Sequence, residues 1–258
     1  MNPSVEQLIR RDRAIVALGL LGMSATGWLY ILRLGHGLAQ TADMAMTMPQ
    51  MKPWSLPDFS LTFLMWAVMM VAMMVPAATP MLLIFAAVNR KRLAENTPVI
   101  RTGLFLLGYL VVWTAFSLLA ALGQWGLHTA ALLSGSAITV TPPLGGALLL
   151  LAGVYQFTPL KHACLSRCQS PLGFILSEWR EGTAGASLMG FRYGLFCAGC
   201  CSVLMALLFV AGVMNLLWVA AIAGFVLLEK LIPLGRTVSW LAGAVLIMWG
   251  IWLITQAA

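Results

Sequence analysis

The fold class this sequence predicts is all-α, a polytopic transmembrane helix bundle of about seven spans, and three observations predict it. Of 258 residues, 61% are hydrophobic and only 9% charged, whereas a water-soluble domain carries about a quarter charged residues. The mean hydropathy is +0.92. Several apolar runs reach or approach the roughly 20 residues a helix needs to cross a bilayer. Five cysteines are too few, and sit too close to the membrane, for a secreted disulfide scaffold. The net charge of +7 would suggest nucleic acid in a soluble protein. Here it reads as the basic excess of cytoplasmic loops, and no nucleic-acid partner is expected.

The spans follow in order. The first, near 14–34, comes after Arg10, Arg11 and Arg13. It is longer than a signal-peptide core and lacks a clear small-x-small cleavage site, so it reads as retained. An outer loop over 35–59 ends in the turn formers MPQMKPWSLPD. The second span, 60–88, contains Pro76 and Pro80, which remove backbone hydrogen bonds and predict a kink. The third lies at 102–124 and the fourth at 144–160, after Thr141–Pro143. A cytoplasmic loop over 161–186 precedes the last three spans, near 187–211, 214–232 and 237–256. No repeat and no soluble domain divides the single domain 1–258.

Charge sets the orientation. With the N-terminus cytoplasmic, 13 of the 15 Lys and Arg residues fall inside, and only Arg33 and Lys52 outside. That bias is the positive-inside signature. The location expected is the bacterial inner membrane, with the lipid bilayer as the first partner.

Soft-ligand residues form four clusters. The outer loop holds His36, Met44, Met46, Met48 and Met51, and thioethers in a wet, irregular segment suit Cu(I) better than harder ions. The alternative is an apolar anchor in the headgroups. The second span carries Met65, Met69, Met70, Met73, Met74 and Met81. On a helix these cover close to half the circumference, so part of the set packs, while Met69, Met70, Met73 and Met74 are the ligand candidates.

In the fifth span, FCAGCCSVLM places Cys197, Cys200 and Cys201 on one face about 100° wide, bordered by Met205. Packing of small residues beside Gly190 and Gly194 is the bland account of this face. It gives no reason for three thiols where Val or Leu would serve. Fourth, KHACLSRC holds His162, Cys164 and Cys168. The three converge only on irregular backbone, because a helix would align Cys164 with Cys168 and turn His162 away. By depth, the methionines of the second span and the thiols of the fifth both fall near the bilayer midplane. Glu229 is expected to pair with Arg192, the alternative being a proton- or metal-release carboxylate.

The strings MWxVMMxAMMxPAxxPM, YQxTPLKxxCLxxCxxP, GxxxGxxCxGCCxxLM and EKLxP, spread over about 60–235, resemble a bacterial family of predicted metal-binding integral membrane proteins. Some members of that family are named copper chaperones. The resemblance implies membrane location and metal handling through Met and Cys positions, and no reaction.

The function expected is therefore binding, and relay or transport, of a soft metal ion, Cu(I) foremost. A further partner would be another membrane or periplasmic metal-handling protein. No nucleotide-binding signature is present, so pumping by this chain alone is not expected, nor is it read as an enzyme. Two other classes compete: a membrane thiol–disulfide relay through Cys197 and Cys200, and a non-catalytic subunit packed through its GxxxG face.

Overall fold

The computed structural model describes residues 14–33, 55–93, 98–130, 140–213, 215–232 and 234–257. Apart from short connections, those residues are helical. The first helix is α1 (Ala14–Arg33). It is followed by α2 (Leu56–Leu93), α3 (Pro98–Thr129), α4 (Pro142–Tyr155), α5 (Pro159–Gln169) and α6 (Pro171–Glu178). The chain ends with α7 (Gly182–Ala206), α8 (Leu208–Ala211), α9 (Leu216–Leu231) and α10 (Gly235–Ala257).

Local chemistry explains the boundaries. At the start of α2, the Ser55 backbone N–H and hydroxyl both donate to Asp58 Oδ2, at 2.9 and 2.6 Å, closing the first turn. Proline opens α3, α4, α5 and α6, where its missing N–H removes no helical bond. Gly212, at φ 90°, ends α8 in a conformation that other residues rarely adopt. The helix α2 continues through Pro76 and Pro80 without a break.

All seven predicted segments are helical, but not all are long enough to span. Among the described residues five helices are long and apolar enough to cross a membrane: α1, α2, α3, α7 with α8, and α10. A sixth results if α4 and α5, bent by 65° at Gln156–Thr158, count as one broken span. The sixth predicted segment is where the counts part. As α9 it has 16 residues, roughly 24 Å of helix, less than the roughly 30 Å hydrocarbon core.

The segment expected as a loop over 161–186 is likewise different. It holds the end of α4–α5 and all of α6, with Lys161, Leu165, Cys168, Phe174 and Ile175 buried. Pro159 and Pro171 start helices there instead of breaking them.

Two close crossings hold the bundle. In the first, α3 lies against α7. A Cβ added at Gly190 would overlap the Phe105 carbonyl, and one added at Gly108 would overlap the Ser187 carbonyl. In the second, α4 lies against α10, where Gly146 and Gly153 face Gly250 and Gly243. Small residues let backbones approach within van der Waals range, the main source of helix–helix attraction in lipid. The first crossing positions the site.

Candidate metal centre

Every ligand candidate on α2 and α7 is buried. Met69, Met70, Met73 and Met74, and Cys197, Cys200, Cys201 and Met205, are each at most 2% exposed. All five cysteines are free thiols.

A methionine of α2 faces the thiols of α7. The Cys201 thiol lies 3.9 Å from Met74 Sδ. Tyr109, on α3 between them, donates its hydroxyl to the Met74 carbonyl at 3.0 Å and touches Cys197 Sγ at 3.2 Å. Met69, Met70, Met73 and Met205 belong to the same buried core as Met74 and the three thiols of α7.

Cysteine geometry on α7 follows from helix sterics. The Cys201 thiol donates back to the Cys197 carbonyl at 2.8 Å, and the Cys200 thiol reaches the same oxygen at 3.1 Å. Thiols in a dry interior satisfy themselves locally when no stronger acceptor is offered. Cys197 Sγ instead accepts from the Lys230 ammonium of α9 at 2.9 Å.

The helix α5 adds the fourth thiol. Cys168, buried in the same core, stands beside Cys197 and Cys200. Cys164, one turn earlier, presses on Gly199, where a Cβ would come within 2.7 Å of its sulfur. His162 is turned away, as a helix requires. Its Nε2 accepts from the Trp240 indole of α10 at 3.0 Å. The HxCxxxC segment thus delivers its thiols to α7 and its imidazole elsewhere.

Around the bend between α4 and α5 runs a buried polar seam. Lys161 Nζ is 2.7 Å from Glu229 Oε1, with both side chains at most 1% exposed. Lys161 also donates to Gln156, and Ser239 to Glu229. Gln169 caps the end of α9 through the carbonyls of Glu229 and Ile232, at 2.8 and 3.1 Å. Tyr155 donates to the Gly199 carbonyl beside the thiols. The pairing of Glu229 with Arg192 expected from sequence is not formed: Arg192 binds Glu178, and Glu229 takes Lys161. Lys161 escaped that reading because its position after an apolar run suggested an interfacial loop, not a buried helix turn.

Among the described residues, no group of three or more His, Cys, Asp or Glu side chains stands in a metal-holding arrangement. The thiols are gathered, yet each is engaged with a carbonyl, a neighbour or Lys230. Turning a cysteine about χ1 moves its sulfur between staggered wells, which is the adjustment that converging donors here would need. In chemistry the donor set is soft throughout, thiols beside a thioether. His36, Met44, Met46, Met48 and Met51 lie outside the described residues.

A family model described as copper chaperone matches residues 63–253. The chain belongs to that copper chaperone family. The matched stretch contains Met74, Tyr109, Cys168, the three thiols of α7 and Lys230, and stops before the end of α10. No curated protein and no solved structure matches the chain. The family description agrees with the metal-handling resemblance carried by the Met and Cys strings, and the long apolar helices are compatible with a multi-pass membrane protein.

Proposed function

We propose that this member of the copper chaperone family binds Cu(I) within the bacterial inner membrane and passes it on. The proposed ligands are Cys197, Cys200, Cys201 and Cys168, with Met74 as the thioether. One observation carries the reading: buried Cys201 of α7 lies 3.9 Å from the Met74 sulfur of α2, in the core that Cys168 of α5 also enters. Thiolate and thioether together suit Cu(I), whereas zinc would normally add imidazole or carboxylate. The buried position excludes water and with it the hard-ligand competition that would favour other ions.

In this reading the Met-rich segment with His36, Met44, Met46, Met48 and Met51 makes first contact with the incoming ion on the outer side. The N-terminus is cytoplasmic, supported by the basic bias of the sequence. The onward partner is a membrane or periplasmic protein with its own soft ligands, since an ion held by thiols transfers by stepwise ligand exchange.

Cu(I) titration of the purified protein in detergent, against a chromogenic Cu(I) chelator, tests the assignment. Changing Cys197, Cys200 and Cys201 together to Ser is expected to abolish competition with the chelator. Met74→Leu should weaken it by roughly tenfold, the worth of one ligand at about 1.4 kcal/mol. His162→Ala should leave it unchanged. Full affinity in the triple variant would end the proposal.

A thiol–disulfide relay is the second reading, favoured by Cys168 standing beside both members of the CxxC. It requires exchange through a mixed disulfide. A trapped disulfide between Cys168 and α7, isolated from cells with no copper dependence, would promote it over the first.

A further inference from the structure

The register between α2 and the α7–α8 segment carries a further step. Two contacts set it. Met74 Sδ lies 3.9 Å from the Cys201 thiol, and the Trp66 and Phe209 rings meet with centroids 5.1 Å apart. Trp66 precedes Met74 by as many residues as Phe209 follows Cys201. Leu207, between α7 and α8, keeps right-handed helical backbone. The two segments therefore run antiparallel and in step over this stretch.

Met70 and Met205 stand midway between those contacts. Four residues of helix rise about 6 Å and turn about 400°, one circuit and a small remainder. Each methionine thus leaves its helix between two residues that already reach the facing one. Both are completely buried, at 0% exposed. The Trp66 indole N–H donates to Gln124 Oε1 at 2.8 Å and fixes the end of the row. That end is the one where Met44, Met46, Met48 and Met51 precede α2 in the chain.

We infer that Met70 and Met205 face each other as a thioether pair, a way station through which a soft monovalent ion reaches the thiols. The inference rests on the copper reading above. The thiols of α7 are at most 1% exposed, and a bare cation is strongly unfavourable in an apolar interior. Donors one turn short of the thiols shorten that passage. Leu would fill the same volume but has no lone pair to offer. A thioether is a soft donor without charge, so it takes the ion and gives it up without moving a proton. The transfer exchanges metal–sulfur bonds only: Met74 joins the pair, Cys201 follows, and Met70 and Met205 let go. The oxidation state of the ion does not change.

For the test, the full chain in detergent is mixed rapidly with Ag(I), a closed-shell monovalent stand-in for Cu(I). Filling of the thiols is followed by silver–thiolate absorption in the ultraviolet, and equilibrium affinity is measured on the same samples. In the double variant, Met70→Leu with Met205→Leu, filling is expected to slow by at least about tenfold. Its affinity should stay within about threefold of wild type, because the thiols and Met74 remain. Met69→Leu is the packing control. Met69 is 1% exposed and lies on the neighbouring row, so its loss should change neither quantity. Filling at the wild-type rate in the double variant would overturn the inference and leave the copper reading standing. Equal slowing in Met69→Leu would assign the effect to packing and overturn it as well. A loss of affinity of about tenfold or more in the double variant would make the pair resident ligands of the thiol site, not a station. A wild type without silver–thiolate absorption would remove the copper reading itself.

Discussion

The α3–α7 and α4–α10 crossings are made of the same material and carry different things. Each packs glycine against the backbone of the facing helix. Beside α3–α7 stand four buried thiols, two tyrosines and a lysine. Next to α4–α10 lies a cavity of about 340 Å³ lined by apolar groups such as Leu149, Phe225, Leu246 and Trp249, with Trp218 stacked on Trp249 at 5.5 Å. The difference comes from what the neighbours add. At the first crossing α5 brings Cys168, α9 brings Lys230 and α2 brings Met74. A close glycine crossing supplies rigidity to either region, and chemistry arises only where further helices converge on it.

Breaking the polar seam should harm the thiol-bearing region most. Lys161→Met leaves Glu229 buried without its partner, at a cost of about 3–5 kcal/mol. Chemical or thermal unfolding in detergent would measure it. The double change Lys161→Met with Glu229→Leu should recover most of that loss, since replacing both partners of a buried pair by apolar groups is often neutral. If the single variant were as stable as wild type, the seam would not be what anchors α5 to α9.

How much of this contrast was legible in the sequence depends on the residue. The helical segments showed in the apolar runs, because composition at this hydropathy leaves few alternatives. The three thiols of α7 and their shared face followed from helical periodicity, and so did the outward turn of His162 once α5 is helical. What stayed hidden were residues whose role depends on tertiary contact. Tyr109 reads as one more aromatic in YLVVW, and only the α2–α3–α7 junction gives it Met74 and Cys197 as partners. Lys161 and Lys230 each follow an apolar run, where lysine ordinarily extends to the interface. Their burial reflects the bend at Gln156–Thr158 and the shortness of α9, and neither has a periodic signal. A Glu–Lys pair closing an apolar run was the available hint.

The two crossings can be separated directly. Gly190→Ala drives a methyl into the Phe105 carbonyl, a backbone atom that cannot step aside. Gly153→Ala meets Ile247 Cγ1 at 2.6 Å and the Gly243 carbonyl at 2.9 Å. The first belongs to a β-branched side chain stiff at χ1 and the second is a backbone oxygen, so something must shift here too, by less than at Gly190. Overpacking costs about 1–3 kcal/mol, and Gly190→Ala should lie at or above the top of that range, with Gly153→Ala below it. Unfolding of both variants in one detergent gives the ranking. Metal binding sharpens it, since the Gly190 change should weaken Ag(I) binding and the Gly153 change should not.

The smallest effect tests how tightly the bend is tied to the thiols. Tyr155, the last residue of α4, donates to the Gly199 carbonyl, and Gly199 is the residue against which Cys164 packs. Tyr155→Phe removes one hydrogen bond and no volume to speak of, so stability should fall by about 0.5–1.5 kcal/mol. The orientation of α5 has a second hold in the Lys161–Glu229 pair, so Cys168 should stay in place and Ag(I) affinity should change by less than about threefold. Alkylation of Cys164, which is half-buried, should instead quicken, because its contact with Gly199 is held from the tyrosine side. A variant with normal Cys164 reactivity and lost Ag(I) binding would invert the order of dependence. The tyrosine would then position Cys168, and the bend, not the ion pair, would control how the fourth thiol reaches α7.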